Sequence, residues 1–380
     1  AGVSVMGLLL GPHQGNGARP GADLWNHGLV RTHEKLSQAP GLTAAQRQRA
    51  VGAVVAAATG DALGAPYEFQ APVVDSEEID MIGGGVLGWQ PGEWTDDTSM
   101  AIVVLEAALA ASDHHDLRLE SAQDHIAREW YSWSLGTPDI GNLTSHVLRS
   151  AADIGRAAGH YAPRAVDFRA AAAKAHEDHP TSAGNGSLMR AHASVLPYLL
   201  SPDADAAEAI ASVCRLTHVH PDTIEACILW GFAVRHAILT GELDVRVGLD
   251  QLEPERRTVW QDRIEEAEES TPVMFRRNGW VVGAFQAAWA AIAGVGPIPE
   301  GKFAQRDALV AALEAAARAG YDTDTVACIT GSLMGAALGH KAVPPEWRRV
   351  LFGWPGYEVE ELTNLVERVI APQVAEEPSP

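Results

Sequence analysis

The sequence predicts an all-α protein, and three observations lead there. Alanine-rich stretches such as 53–58 and 311–317 recur along the 380 residues, and alanine is the strongest helix former. Val- and Ile-rich alternating runs, the signature of half-buried strands, are few. Apolar residues make up 47% of the chain, enough for a substantial core in one large domain or two ordinary ones.

Taken in order, residues 1–44 read as an N-terminal extension. They contain glycine, proline and histidine with little periodicity, so they are expected to be poorly ordered or draped on the surface. A helical body over 45–371 begins at Thr43, an N-cap ahead of Ala44-Ala45-Gln46. Gly52, Ala56, Gly60 and Gly64 follow at four-residue spacing, and Gly331, Gly335 and Gly339 repeat it near the other end. Such stripes let helix backbones approach closely, so the two segments are either central helices in mutual contact or ordinary Ala/Gly composition. Residues 71–94 form a loop, because Gly83-Gly84-Gly85, Gly88 and Pro91-Gly92 exclude a continuous helix. The loop delivers the chain to Thr95, after which Met100, Val103, Val104 and Ala107 fall at helical spacing. Asp139-Ile140-Gly141 and Thr181–Arg190 are further loops feeding helices. The charged segment 241–270, with Pro254, predicts a solvated helix pair, and the acidic tail 372–380 is expected to fray. No period of 20 to 50 residues recurs, which excludes a solenoid.

The formal charge of −21 argues against general nucleic-acid binding or an anionic membrane surface, since no basic stripe is present to neutralise phosphates. Cys214, Cys227 and Cys328 have no CxxC spacing and sit in apolar helical contexts, so free buried thiols in a reducing compartment are expected. No apolar run reaches the roughly 18 to 20 residues of a membrane span. Met6–Leu10 is too short, and lacks the basic flank, to be a signal peptide. A cytoplasmic monomer is the expectation.

Two short clusters, Thr95-Asp96-Asp97-Thr98 and Asp322-Thr323-Asp324-Thr325, lie more than two hundred residues apart. Each packs two carboxylates beside hydroxyls ahead of an apolar stretch. Unpaired carboxylates this close repel one another and are costly to bury, so something must neutralise them. Aspartate and threonine oxygens are hard ligands that suit Mg²⁺ or Ca²⁺ rather than zinc. Brought together, the clusters would form a four-carboxylate pocket for two divalent cations.

Three weaker signals accompany them. Glu68 follows Gly64-Ala65-Pro66, just past a helix end, where it can point into a cleft or simply occupy a surface turn. The glycine-containing run Thr181–Arg190 can offer backbone amides and a helix N-terminus to a pyrophosphate, although Asn185-Gly186 is first of all a turn signal. His218 and His220 invite a zinc reading, but no third ligand at a suitable spacing supports it. A histidine hydrogen-bonded within a polar cleft is the simpler reading.

Seven segments together resemble the ADP-ribosylglycohydrolases. They are GDALGAPYE (60–68), GEWTDDTSM (92–100), PDIGN (138–142), GNGSLMR (184–190), THVHPD (217–222), NGWVVGAFQAAW (278–289) and GYDTDTVACITGSLMGAALG (320–339), in the family's order across about 46–343. The resemblance implies a compact single-domain orthogonal helical bundle with a binuclear Mg²⁺ site at the floor of a cleft, Mn²⁺ serving as a substitute. It implies Thr95, Asp96, Asp97, Asp322, Asp324 and Thr325 as metal ligands, with Asp324 bridging both ions. It makes Glu68, Asp97 and Asp139 catalytic residues, Ser182, Gly184, Asn185 and Gly186 the diphosphate cradle, and His218 part of that pocket's lining. Many members carry a second glycine where this chain has Tyr321, a bulkier residue that can narrow the cleft or contact the ribose.

The implied reaction is Mg²⁺-dependent hydrolysis at C1″ of ADP-ribose joined to an acceptor, with ADP-ribosylarginine of a protein as the expected substrate and a small-molecule conjugate or ADP-ribosylserine as alternatives. A catalytically silent ADP-ribose binder on the same fold and a phosphohydrolase using a two-ion site are the competing readings.

Overall fold

The computed structural model describes residues 41–373, apart from residue 75 and residues 112–114. The expected extension therefore lies outside the described residues up to position 40, as does the tail from 374. Leu42 and Gln373, beyond the limits expected for the helical body, are tied together. The Leu42 amide donates to the Gln373 carbonyl at 2.8 Å, and the Leu42 side chain is buried.

The protein is all-α. Fourteen α-helices run in order among the described residues: α1 (Ala44–Gly64), α2 (Asp96–Ala110), α3 (Glu120–Ser134), α4 (Asn142–Ala157), α5 (Ala165–Asp178), α6 (Ala191–Val195), α7 (Asp203–Arg215), α8 (Pro221–Thr240), α9 (Pro254–Glu268), α10 (Val281–Val295), α11 (Lys302–Ala317), α12 (Thr323–Leu338), α13 (Pro345–Val350) and α14 (Val359–Ile370). The described β-structure is one antiparallel hairpin, β1 (Phe352–Gly353) with β2 (Tyr357–Glu358), plus isolated bridges.

Helix α1 starts where local chemistry dictates. The Thr43 hydroxyl accepts from the Gln46 amide, and the Gln46 side chain accepts in return from the Thr43 amide, a reciprocal cap on two otherwise unpaired donors. From Ala50 to Gly64 every residue is buried, because α1 packs along its length against α12, itself buried from Thr323 to Ala337. The glycine stripes make this possible. A Cβ on Gly52 would collide with the Gly335 carbonyl, one on Gly60 with Ala327, and one on Gly331 with Ala56. The two helices thus touch backbone to backbone at the centre of the protein, and α2, α8, α10 and α11 surround them.

Two expectations need correcting. The charged segment 241–270 is not a helix pair: it forms a 3₁₀ stretch, Arg246–Gln251, followed by the single helix α9, which buries Trp260, Ile264 and Ala267. And one helix, α8, does reach the length and hydropathy of a membrane span. It is a core helix, however, with residues from Ala226 to Val234 buried against its neighbours. All three cysteines are free and buried.

Candidate active site

Both acidic clusters lie at helix N-termini. Thr95 is the N-cap of α2, with Asp96 and Asp97 in its first turn. Asp322 is the N-cap of α12, with Asp324 in its first turn. The contact between α1 and α12, and between α2 and both, brings these two ends together. The Thr95 hydroxyl lies 3.3 Å from Asp97 Oδ2 and 3.3 Å from Asp324 Oδ2, while Thr325 Oγ1 donates to Asp97 Oδ2 at 3.4 Å. The clusters interleave rather than merely face each other. The partial positive charge of the two helix ends favours carboxylates here by a modest amount, up to about 2 kcal/mol in partly buried geometry.

That contribution is small beside the cost of the burial. Desolvation, followed by repulsion from neighbouring carboxylates, pushes Asp96, Asp97 and Asp324 well above the ordinary aspartate range. Burial also raises Asp322, and Asp139 to about 6. Glu68, buried and close to Asp139, Asp322 and Asp96, is pushed up to about 10. Asp97 Oδ1, Asp324 Oδ1 and Glu68 Oε2 are buried with no hydrogen-bond partner. Buried oxygens of this kind are costly unless a ligand satisfies them. Two groups of carboxylates have oxygens within 4.8 Å of one another: Asp61, Asp97 and Asp324 in one, and Glu68, Asp139 and Asp324 in the other. Asp324 is common to both. Acidic, oxygen-only and short of partners, this donor set fits hard divalent cations.

Asp61 is a site residue that sequence reasoning passed over, although it stands within the GDALG segment. It is fully buried on α1, and it receives the Thr95 amide at 2.9 Å, the Thr98 amide at 2.9 Å and the Thr98 hydroxyl at 2.6 Å. Burial raises it to about 6 against these bonds. With its oxygens occupied by donors, Asp61 holds the first turn of α2 in place from beneath. Its signal in the sequence was faint: an acid on an otherwise apolar helix face, between Gly60 and Gly64.

Above the acidic floor opens a cleft of about 1000 Å³. Glu68, Asp96, Asp139, Asp322, Asp324, Thr325, Ser182, Gly184, Asn185, Gly186 and His218 all line it, so the structure gathers these expected residues in one place. Thr95 and Asp97 lie under its surface, fully buried.

The loop 181–190 forms a wall of the cleft. Asn185 Nδ2 donates to Asp322 Oδ2 at 2.9 Å and to the Asn278 carbonyl at 2.8 Å, joining the wall to the floor. Asn278, wholly buried, accepts from the Asp322 amide and donates to the Gly320 carbonyl, so one amide side chain fixes the turn into α12. Gly184 pairs with Trp280, which places Arg277 and Trp280 beside the same wall. The expected helix N-terminus behind this loop is a lesser feature than the sequence suggested. Turns occupy 186–190, and α6 is five residues long, so the loop presents its own amides to the cleft rather than a long helix end.

Arg190 organises the wall from behind. Almost completely buried, it donates to the Gly186 carbonyl and, at 2.7 Å, to Thr217 Oγ1, and it stacks 4.4 Å over the Trp130 ring. Because Thr217 Oγ1 accepts from Arg190, its own proton is free for His218 Nδ1, 2.7 Å away. When Thr217 donates to Nδ1, the proton of His218 sits on Nε2, the nitrogen next to Gly184 and Gly186. Burial and Arg190 push His218 down to about 3, which favours the neutral ring. His220, by contrast, caps α8 by accepting from the Asp222 amide, and neither histidine belongs to a metal-ligating group among the described residues.

Phe69, which lines the cleft, and Tyr321, next to the lining residue Asp322, adopt left-handed backbone conformations, with φ of 60° and 65°. Each costs about 1–2 kcal/mol for a side chain of this size. They are linked: the Phe69 amide donates to the Tyr321 carbonyl at 2.6 Å, and the Tyr321 amide to the Gln70 carbonyl at 2.7 Å.

Comparison with known proteins gives one consistent answer. A family model described as ADP-ribosylglycohydrolase matches residues 42–378. The ADP-ribosylarginine hydrolase Tri1 of Serratia proteamaculans (strain 568) is 27% identical over 84% of this chain and 78% of its own length. The ADP-ribosyl-[dinitrogen reductase] glycohydrolase of Rhodospirillum rubrum is 28% identical over 86% and 94%. A solved structure titled ADP-ribosylglycohydrolase-related protein complex superposes with a TM-score of 0.64 at 26% identity, covering 87% of this chain and 99% of the other.

Proposed function

The chain belongs to the ADP-ribosylglycohydrolase family, and from that premise we propose that it cleaves the C1″ bond of ADP-ribose attached to protein arginine, using two Mg²⁺ ions. Hydrolysis of an ADP-ribosyl glycosidic bond is the family's chemistry. The observation that carries the proposal is the interleaving of Thr95 and Asp97 with Asp324 and Thr325, which assembles hard oxygen donors at a cleft floor, with Asp97 Oδ1 and Asp324 Oδ1 left without hydrogen-bond partners.

Thr95, Asp96, Asp97, Asp322, Asp324 and Thr325 would hold the ions, with Asp324 shared. Bound there, Mg²⁺ supplies Lewis acidity toward ribose hydroxyls and water. The chain's own residues do the rest. Gly184 and Gly186 have no side chain to keep a diphosphate from the loop amides, and His218 Nε2 lies beside the same place. Binding energy gathered at that distance from the reacting carbon positions the ribose for bond breaking. Departure of the acceptor builds oxocarbenium-like charge at C1″, which the surrounding carboxylates favour. Glu68 and Asp139, close enough to share one acidic group, are the candidates to take a proton from water and to give one to the leaving group.

The test is release of free ADP-ribose from ADP-ribosylated arginine and serine peptides, with and without Mg²⁺. Mg²⁺-dependent release from the arginine peptide is expected. Tight ADP-ribose binding with no release from any linkage would mean a silent binder, and release of phosphate or AMP a phosphohydrolase.

A further inference from the structure

We infer that Phe69 and Tyr321 form a platform at the rim that receives the guanidinium of the leaving acceptor, and that this pair sets acceptor preference; the inference rests on the glycohydrolase reading above. Each aromatic adjoins a carboxylate of the site, Phe69 following Glu68 and Tyr321 preceding Asp322. Both side chains are left open, 60% and 37% exposed, and Phe69 lines the cleft itself.

The backbone beneath them is over-determined. Residues 69–73 run beside 318–321 through the Phe69–Tyr321, Tyr321–Gln70 and Val73–Arg318 hydrogen bonds, and Asn278 grips Gly320 and Asp322 from the other side. Left-handed conformations that glycine would adopt without strain are thus enforced on two large aromatics next to the reacting groups. Strain held in place by surrounding structure, at residues whose side chains stay exposed, marks a functional rather than a packing role.

Chemistry selects the occupant. Glu68, Asp96, Asp139, Asp322 and Asp324 line the same cleft as Phe69, so the ground beside the rings is acidic. A cationic acceptor is therefore favoured over a neutral one, and the face of a phenyl or phenol ring adds to that preference. An aromatic ring with two side-chain torsions, on a fixed backbone, loses little entropy on binding.

Glycine suits the backbone at both positions, so the Phe69→Gly, Tyr321→Gly double variant should fold as the parent does. On an ADP-ribosylated arginine peptide its kcat/KM should fall about tenfold. The loss on an ADP-ribosylated serine peptide should be smaller by about threefold or more, and the Kd for free ADP-ribose should stay within about twofold. Equal losses on both linkages, or none on arginine, would overturn the platform. Failure of the enzymatic reading looks different: the parent would release ADP-ribose from neither peptide. In that case NMR saturation transfer to ethylguanidine decides, being weaker in the double variant if the platform exists and equal in both proteins if it does not.

Discussion

Asp324 sits in both carboxylate groups, with Asp61 and Asp97 in one and Glu68 and Asp139 in the other. No neighbouring side chain duplicates that position, so Asp324→Ala should lower Mg²⁺ affinity by at least about 100-fold and abolish ADP-ribose release. Calorimetric Mg²⁺ titration and a release assay check this together; full rate at limiting Mg²⁺ would remove Asp324 from the ligand set. Asp61 acts one step further away. Asp61→Asn keeps the shape but replaces an acceptor oxygen with a donor nitrogen facing the Thr95 or Thr98 amide. A drop in Mg²⁺ affinity of roughly 10–100-fold is expected, without loss of helix content by circular dichroism. The metal-ligand candidates were legible in the sequence because they are local motifs, two acids and hydroxyls within four residues. Asp61 and Asn278 were not, since nothing adjacent in the chain marks them: their partners lie 34 and 44 residues away.

At the scale of elements, the crossing of α1 and α12 sets where the two acidic turns meet. Gly60 lies against Ala327, one turn from Asp324, and beside Asp61. Gly60→Ala would force these backbones apart, costing about 1–3 kcal/mol by overpacking. It should also weaken Mg²⁺ binding, because the wedge opens next to the ligands. Urea unfolding and Mg²⁺ titration of the variant measure the two effects, and a variant stable in urea with unchanged affinity would show that the crossing tolerates a methyl group. The four-residue glycine spacing left open whether α1 and α12 touch or are merely small-residue rich. The structure decides for contact, with backbone atoms where side chains would have to be.

Across the whole molecule, the acidic floor links metal, protons and stability. Burial and mutual repulsion raise the affinity of these carboxylates for protons, so Mg²⁺ competes with protons for them and its affinity should rise with pH. Calorimetry in buffers of differing ionisation heat would register the released protons; no buffer dependence would contradict it. Mg²⁺ at about 100 times its Kd should add about 2.7 kcal/mol of stability, visible as a raised Tm that a chelator reverses. His192 works in the other direction. Buried and neutral, it is pushed down to about 4, against an ordinary histidine value of 6.5. Its contribution is complete above pH 6.5 and is lost as the pH falls toward 4, a change of about 3 kcal/mol. His192→Gln should therefore show a flatter fall in urea stability over that range than the parent, compared under identical conditions.

By itself the sequence determined the helical class, the cap at Thr43 and the two acidic turns as hard-oxygen donors, because each depends on residues within a few positions of one another. Only the tertiary structure decided that Thr95 meets Asp324 across 229 residues, that Asp61 supports α2 from beneath, and that Arg190 orients His218 through Thr217. It also decided that Tyr321, read as a departure from a glycine, keeps glycine's backbone conformation. The physical reason is the same in each case: burial and packing, which have no local signature, choose the partners that a costly charge or a strained residue must have.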